Sequence, residues 1–167
     1  DEIDNYYAIS DGGLPKGMIN RIGFPENHKL GKDEWSTIVA NELKKEIDFK
    51  IYISSDSTSI SIISESQKNN TGDYNLIVCL AESNIINYQK DGQSNIDNYS
   101  HNHVLRSVLI DQQLSNNLNY IIGQEIETSI TYNLDDLEQY NITYSLNNTA
   151  ELGNGNAGEW NADNMSV

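Results

Sequence analysis

The sequence has few positive charges, and this shortage narrows the range of partners. Ten Lys and Arg residues stand against 25 Asp and Glu, so the formal net charge is −15 over 167 residues. A negative excess of this size repels a nucleic-acid backbone and an anionic lipid surface. We therefore predict no nucleic-acid partner and no direct binding to a membrane surface.

Cysteine is almost absent, which excludes an intramolecular disulfide and a cysteine-based metal cluster. The one cysteine, Cys79, lies in the apolar run Tyr74–Ala81, and this setting predicts a buried, unreactive thiol. A thiol–disulfide oxidoreductase needs a low-pKa cysteine, usually in a Cys-X-X-Cys motif. No such motif occurs, so any redox site of a parent protein is expected upstream of Asp1.

Long apolar segments and catalytic motifs are missing as well. No hydrophobic run approaches the roughly 20 residues that span a bilayer, and the N-terminus lacks the pattern of a signal peptide. The chain reads as a piece of a longer protein, so these absences do not fix its location. There is no Gly-X-Ser-X-Gly and no phosphate-binding glycine loop before a helix. We therefore predict that the chain is not an enzyme, with no catalytic residue and no cofactor.

The plentiful residues, Asn, Ile, Ser and Tyr, favour strands and polar turns. Residues 1–31 hold both prolines and are rich in turn residues, with a short strand predicted at 18–22. One amphipathic helix is predicted over residues 33–46, because Trp35 and Leu43 are among apolar residues that recur at helical spacing. The order of turn, strand and helix is half of an α/β unit.

From residue 48 the hydrophobic period changes from 3.6 to 2, which predicts strands and a domain boundary between residues 47 and 48. In two stretches, Phe49–Ser54 and Ser59–Ser64, isoleucines alternate with polar residues, as in strands with one buried face. Residues 74–81 are apolar on both faces, which predicts a central strand. Further strands are expected at 84–88, 104–110, 126–134 and 140–146, with a polar loop at 90–98 and Trp160 as the anchor of the tail. Short strands at this spacing predict a β-sandwich.

Two histidines, His101 and His103, are separated by one asparagine in a polar segment. If the segment is a strand, alternation places both imidazoles on one face. This spacing suits zinc or copper, with His28 or a carboxylate such as Asp97 as a third ligand. The alternative interpretation is a hydrogen-bonded joint, in which Arg106 pairs with a carboxylate.

The tyrosines and the acidic pairs leave two further interpretations open. The ten tyrosines favour cross-strand packing on an exposed sheet face, or else a platform for a ligand or carbohydrate. Asp135 with Asp136, and Asp73 with Glu82, are carboxylate pairs that suit calcium, although neither fits an EF-hand loop.

Four segments carry a family pattern: Leu14–Arg21, Ala81–Gln89, Tyr99–Arg106 and Gly158–Asn161. With these segments the chain resembles, over nearly its whole length, the Omp28-related outer-membrane lipoproteins of Bacteroidetes. The resemblance implies that residues 1–47 are the end of a thioredoxin-like domain, with residues 33–46 as its last helix. Residues 48–167 are then expected to form an immunoglobulin-like antiparallel β-sandwich. The expected fold class is therefore mainly β.

The resemblance also marks individual residues. Pro15 falls at the cis-proline position of thioredoxin-like folds. The other residues that identify the family are, by the same resemblance, Asn20, Arg21, Tyr99, His101, Asn102, His103 and Arg106.

For function, the resemblance implies a cell-envelope protein of the outer membrane, lipid-anchored outside these residues, with an adhesin or receptor role. We predict binding or scaffolding through protein or glycan contacts. One alternative is a redox accessory protein whose active site lies upstream. Another is a metal-binding module built on His101 and His103. An open sheet edge after Met165 further predicts a homodimer.

Overall fold

The structure is a computed structural model that describes residues 7–9, 11, 15–148 and 157–167. Its contacts divide the chain into two compact units, which meet in sequence between Ile47 and Asp48. The fold is mainly β, with several antiparallel sheets, as the composition predicts. We describe each unit by itself.

The first unit contains a two-stranded ladder and one helix. Strand β1, Lys16–Gly17, pairs antiparallel with β2, Leu30–Gly31. Helix α1, Lys32–Glu42, follows directly, and the Glu34 carboxylate accepts a hydrogen bond from the Gly31 amide at 2.8 Å. This contact satisfies an amide at the N-terminus of the helix, which would otherwise lack a partner. The helix is four residues shorter at its C-terminus than predicted.

The strand predicted at residues 18–22 is wrong, because this segment forms turns. Asn20 and Arg21 both have positive φ angles, 46° and 55°, which are incompatible with a strand. The peptide bond between Phe24 and Pro25 is cis. The bond that precedes Pro15 joins it to Leu14, which lies outside the described residues, so the cis-proline expected there is not tested.

The second unit is built around two three-stranded antiparallel sheets. The first sheet has the order β11-β4-β3 and the second the order β12-β6-β9. Their strands are β3 (Phe49–Ser55), β4 (Ser59–Ser66), β6 (Asn75–Glu82), β9 (Val104–Gln113), β11 (Glu125–Thr131) and β12 (Met165–Ser166). One buried cluster joins both sheets: Ile60, Ile62, Leu76, Val78 and Ile130. The immunoglobulin-like arrangement of such sheets stays a prediction.

In the central strands, every second side chain is buried, as the alternation of the sequence predicts. Strand β6 lies between β12 and β9, as predicted from its two apolar faces, and it buries Leu76 and Leu80. Cys79, which the run predicts to be buried, points to the opposite face and is only half-buried. Strand β3 lies at the edge of its sheet, so Ile51 and Ile53 remain 52% and 50% exposed, against the prediction of a buried face.

A small ladder and an aromatic cluster close one end of the second unit. Strand β5, Asn70–Thr71, pairs with β10, Asn119–Tyr120. The rings of Phe49, Tyr74 and Tyr120 meet edge to face with centroids 4.9–5.5 Å apart. Burial raises the pKa of the Tyr120 phenol, since the phenolate would be poorly solvated there.

The polar loop predicted at residues 90–98 is wrong. Strand β7, Ile85–Asp91, pairs antiparallel with β8, Ser94–His101, across the two-residue turn Gly92–Gln93. Gly92 has a φ of 61°, a conformation that glycine adopts without steric cost. We call this hairpin, residues 85–101, the arm. Among the described strands, β7 and β8 pair only with each other.

The strand predicted at Tyr140–Leu146 is also wrong, because helix α2 covers Leu134–Asn148. The Asn133 side chain begins the helix by accepting hydrogen bonds from the amides of Asp135 and Asp136. The remaining described tail holds a short 3₁₀ helix, Ala162–Asn164, before β12. None of the described helices is long and apolar enough to cross a membrane.

Candidate functional site

A buried ion pair connects the last residue of β6 with the start of β9. The Nε of Arg106 donates to Oε2 of Glu82 at 2.7 Å, and the two side chains are only 6% and 4% exposed. The carboxylate partner predicted for Arg106 is thereby confirmed. Removing one member of a buried pair leaves an uncompensated charge, which typically costs about 3–5 kcal/mol.

The same carboxylate also holds the C-terminal segment. Oε1 of Glu82 accepts a hydrogen bond from the backbone amide of Asn161 at 2.9 Å. The guanidinium of Arg106 lies 5.6 Å from the ring centroid of Trp160, within the range of a cation–π contact. We call these four residues, Glu82, Arg106, Trp160 and Asn161, the Glu82 joint.

Helix α2 anchors the tryptophan of this joint. The Trp160 amide donates to Glu138 on α2 at 3.1 Å, and the indole Nε1 donates to the Ala157 carbonyl at 2.9 Å. The backbone approaches α2 closely here, since a Cβ added at Gly158 would lie 2.7 Å from Cδ1 of Ile142. Trp160 is therefore the anchor of the tail, as predicted.

Two tight turns fasten the base of the arm beside the joint. The Asn84 amide donates to the Asn102 side chain at 3.0 Å, and the His103 amide donates to Oγ of Ser83 at 3.1 Å. The Ser83 amide in turn donates to the Asn164 carbonyl at 3.1 Å. Polar side chains of each turn thus satisfy backbone groups of the other.

The two histidines predicted as metal ligands lie in different local structures. His101 ends β8, whereas His103 lies in the following turn with a φ of 56°, so strand alternation does not apply to the pair. The Nε2 of His101 lies 3.3 Å from the Tyr88 carbonyl, on the neighbouring strand of the arm. No group of three His, Cys, Asp or Glu residues suited to a metal ion occurs within the described ranges.

The other residues proposed as metal ligands are His28, Asp97 and the acidic pairs, and most of them bind other groups of the protein. His28 belongs to the first unit, where it is buried, and its Nε2 lies 2.6 Å from the Tyr7 carbonyl. Asp97 lies on the exposed strand β8 of the arm. Of the acidic pairs, Asp73 accepts a hydrogen bond from Gln113 and Glu82 belongs to the joint.

Residues from the first unit that the family resemblance marks have local roles. Asn20 donates to the Glu42 carboxylate at the end of α1, at 3.2 Å. The Arg21 guanidinium lies 5.8 Å from the ring centroid of Tyr7. Pro15 is exposed at the start of β1. These contacts lie within the first unit.

An open depression lies beside the arm, at the turn that connects β8 with β9. Its volume is about 480 Å³, and its lining includes Gln89 and Lys90 of β7, Tyr99 and His101 of β8, and Asn102 of the turn. The rings of Tyr99 and His101 meet edge to face with centroids 4.9 Å apart. The lining combines aromatic, apolar and uncharged polar side chains with one lysine, a mixture that is common in small-molecule sites.

Comparison with known protein families settles the affiliation of the chain. A family profile described as "Outer membrane protein Omp28" matches residues 1–167, the whole chain. The chain belongs to the Omp28 family. It is accordingly a protein of the outer membrane or cell envelope. Searches of curated proteins and of solved structures return no match.

The structure brings three of the Omp28-like segments together. Ala81–Gln89 supplies Glu82 and the first arm strand, Tyr99–Arg106 supplies the second arm strand and Arg106, and Gly158–Asn161 supplies Trp160. The segments that resemble the family are thus the ones that build the joint and the arm. The fourth segment, Leu14–Arg21, lies in the other unit.

Sequence reasoning missed Glu82 as the central residue of this site. The signal was available, because β6 buries Leu76, Val78 and Leu80, and Glu82 continues the same parity. A carboxylate at the inward position of a strand requires a buried partner. Glu138 carried no comparable signal, since its role depends on a helix that the sequence pattern did not reveal.

Proposed function

We propose that the chain is a non-catalytic binding or scaffolding domain of a lipid-anchored outer-membrane protein, with an adhesin or receptor role at the cell surface. Family membership gives the location. The anchor and the surface orientation come from the resemblance to envelope lipoproteins and are part of the proposal. The protein or glycan contacts are made, in this proposal, by the arm.

The observation that carries this proposal is the exposure of apolar side chains on the arm. Ile86 and Tyr88 on β7 are 60% and 48% exposed, and Tyr99 on β8 is 43% exposed. Single exposed apolar side chains are common, so the supporting feature is their grouping on one hairpin whose strands pair only with each other among the described strands. Tyrosine and isoleucine on an exposed hairpin are well suited to contact a partner.

Charge supports the same element. Residues 84–110 contain two basic residues, Lys90 and Arg106, and two acidic ones, Asp91 and Asp97, so their formal charges sum to zero. The whole chain carries −15. Because Arg106 is buried against Glu82, the arm itself, residues 85–101, contains one basic and two acidic residues and is nearly neutral, which suits an uncharged partner.

The joint explains how a binding arm is held. Both ends of the arm run into turns that are fastened to each other and to the tail near Asn164. The Glu82 joint then fixes the adjacent strands β6 and β9 to the tail. A rigid base presents the hairpin in a defined direction, which reduces the ordering cost of binding.

The test compares binding of the purified, fluorescently labelled chain to intact cells of the source bacterium. In one variant, residues 87–99 are replaced by a two-residue Asn-Gly turn. In the control variant, Ile51→Ser/Ile53→Ser, the change removes exposed apolar residues from β3 instead. We expect saturable binding by the unchanged chain and the control, and loss of binding by the shortened arm. Equal binding by the shortened arm, or no saturable binding at all, would contradict the proposal.

A further inference from the structure

We propose that the depression beside the arm binds a neutral saccharide. This inference rests on the proposed surface function and specifies the ligand of the same element. The depression opens between β7, β8 and the turn at Asn102, and its volume of about 480 Å³ lies within the roughly 300–1,000 Å³ typical of small-molecule sites.

Hydrogen bonds inside the protein fix which polar atoms the depression offers. Oδ1 of Asn102 accepts from the Asn84 amide, so its amide nitrogen is the end that remains for a ligand. Nε2 of Gln89 donates to the Lys90 carbonyl at 3.0 Å, so its amide oxygen remains. Among the lining amides, the nitrogen of Asn102 and the oxygen of Gln89 are thus the atoms left as donor and acceptor. A hydroxyl group donates and accepts at once, which matches this pair.

The aromatic side chains supply the apolar part of the site. Tyr99 exposes 43% of its surface, and the His101 ring meets it edge to face. The face of an aromatic ring carries negative partial charge and attracts the weakly positive C–H groups of a pyranose ring. A sugar offers both hydroxyl groups and C–H groups. Amides can bind the hydroxyls while the neighbouring aromatic ring packs against the C–H groups.

Charge argues for a neutral sugar over an acidic one. Lys90 is the one Lys or Arg in the lining, and Gln89, Tyr99 and Asn102 contribute uncharged polar side chains. The chain as a whole carries −15 and disfavours an anionic ligand. A site this open, with few polar contacts, predicts a dissociation constant on the order of millimolar.

The test is a ¹H–¹⁵N NMR titration of the chain with glucose, N-acetylglucosamine and cellobiose, with glucuronic acid as the acidic comparator. We expect saturable shifts of the Tyr99, His101 and Asn102 amides with at least one neutral sugar, and weaker binding of glucuronic acid. No saturable shift with any of the three neutral sugars, or tighter binding of glucuronic acid, would overturn the inference.

Matched variants test whether Tyr99 carries the binding. Tyr99→Ala is expected to weaken the sugar about tenfold, whereas Tyr99→Phe, which keeps the ring, stays within about twofold. Tyr52→Ala is the control, because Tyr52 is equally exposed, at 43%, but lies on β3 and does not line the depression. An equal loss in Tyr52→Ala would show binding that is not specific to the depression, which contradicts the assignment.

The outcome is distinguishable from that of the cell-binding experiment. If the shortened arm loses cell binding but no sugar shifts the spectrum, the saccharide assignment falls and the surface role stands. If cell binding is independent of the arm while the sugar binds at Tyr99, the depression is a sugar site and the proposed role of the arm falls.

Discussion

The Glu82 joint buries two opposite charges, whereas the arm exposes apolar side chains to solvent. Both elements draw on the same stretch of sequence, since His101 ends the arm and Arg106 lies five positions later in the joint. Each reverses the usual preference of its residues for the interior or the surface. In the joint the reversal is balanced by hydrogen bonds to every charged group named above. In the arm Tyr99 packs against His101 and the Tyr88 hydroxyl donates to Asn95, yet Ile86, Tyr88 and Tyr99 keep 60%, 48% and 43% of their surface exposed. In the proposed function a partner covers these side chains.

The largest effect is expected from breaking the ion pair. Glu82→Gln removes the carboxylate that pairs with the buried Arg106 guanidinium, so the free energy of unfolding should fall by about 3–5 kcal/mol in urea denaturation. Glu127→Gln on the exposed side of β11 is the control and should change it by less than about 0.5 kcal/mol. If Glu82→Gln prevents folding, Glu82→Leu/Arg106→Met should recover most of the stability. A cost for Glu82→Gln below about 1 kcal/mol would contradict the central role of the joint.

A smaller loss of stability is expected from substitutions at Trp160, which separate the contribution of its ring from that of its indole hydrogen bond. Trp160→Ala removes the ring beside Arg106 and the indole hydrogen bond, and should cost about 3 kcal/mol. Trp160→Phe keeps a ring and loses mainly the bond to the Ala157 carbonyl, so its cost should be near 1 kcal/mol. Thermal unfolding of both variants measures the difference. Equal costs would mean that the ring itself contributes little.

A second ion pair in the same unit is half-exposed, so comparing it with the Glu82–Arg106 pair tests how burial changes the contribution of an ion pair to stability. Asp48 pairs with Lys68 at 2.6 Å, and their side chains are 36% and 43% exposed. Hydrogen bonds from Lys68 and from the Tyr74 hydroxyl hold the pKa of Asp48 below its ordinary 3.8. Because the folded-state pKa is lowered, the contribution is present above pH 3.8 and is lost as the pH falls through the folded value.

Asp48→Asn should therefore cost no more than about 1 kcal/mol at pH 7, well below the cost of Glu82→Gln. The measurement is urea denaturation at pH 7 and at pH 3, and the difference between unchanged chain and variant should shrink at the lower pH. A difference that grows on acidification would have the wrong sign. A cost equal to that of Glu82→Gln would remove burial as the explanation for the joint.

The smallest effect on stability is expected in the arm. Ile86→Ser should change the free energy of unfolding by less than about 0.5 kcal/mol, since the side chain is largely in solvent. Hydrogen exchange should be faster in β7 and β8 than in β6, because a lone hairpin opens without disturbing the core. Arm amides as well protected as those of β6 would show that the hairpin is covered, for instance by a second copy.

Self-association through an open sheet edge stays a prediction. The structure places β12 at the edge of its sheet, paired only with β6 among the described strands. Sedimentation of the chain as a monomer at about 100 μM would contradict a dimer of even micromolar affinity.

Local patterns predicted some elements well and failed where packing reverses them. Ile60 and Ile62 alternate with serines and are buried as expected, because β4 is a central strand. Ile51 and Ile53 show the same alternation and remain exposed, because β3 is at an edge. Alternation along a strand shows which side chains share a face of the sheet. Whether other residues bury that face depends on the position of the strand in the sheet.

Helix α2 shows a second way in which sequence misleads. Tyr140 and Leu146 gave an apparent strand period, yet both are largely exposed on the helix. Its inward positions include the polar Asn141, which donates to the Ala157 carbonyl, and the buried Ser145. The two residues at the ends of the apparent strand pattern, Tyr140 and Leu146, therefore lie on the solvent-exposed face of α2. The informative signals were Asn133 followed by two aspartates, which together favour a helix N-terminus.

The sequence by itself determined the family, the mainly β composition, the central strand β6 and a carboxylate partner for Arg106. These depend on neighbours in the chain, on strand parity and on the need of a buried charge for a counter-charge. Only the tertiary structure decided that the partner is Glu82, that a predicted loop is a projecting hairpin and that the two histidines part at a turn. The role of Glu82 depends on contacts between segments far apart in sequence, such as Glu82 with Asn161, which no local pattern encodes. The hairpin did have a local signal, Gly92 after Asp91, but only its pairing with β8 shows that both flanking segments are strands.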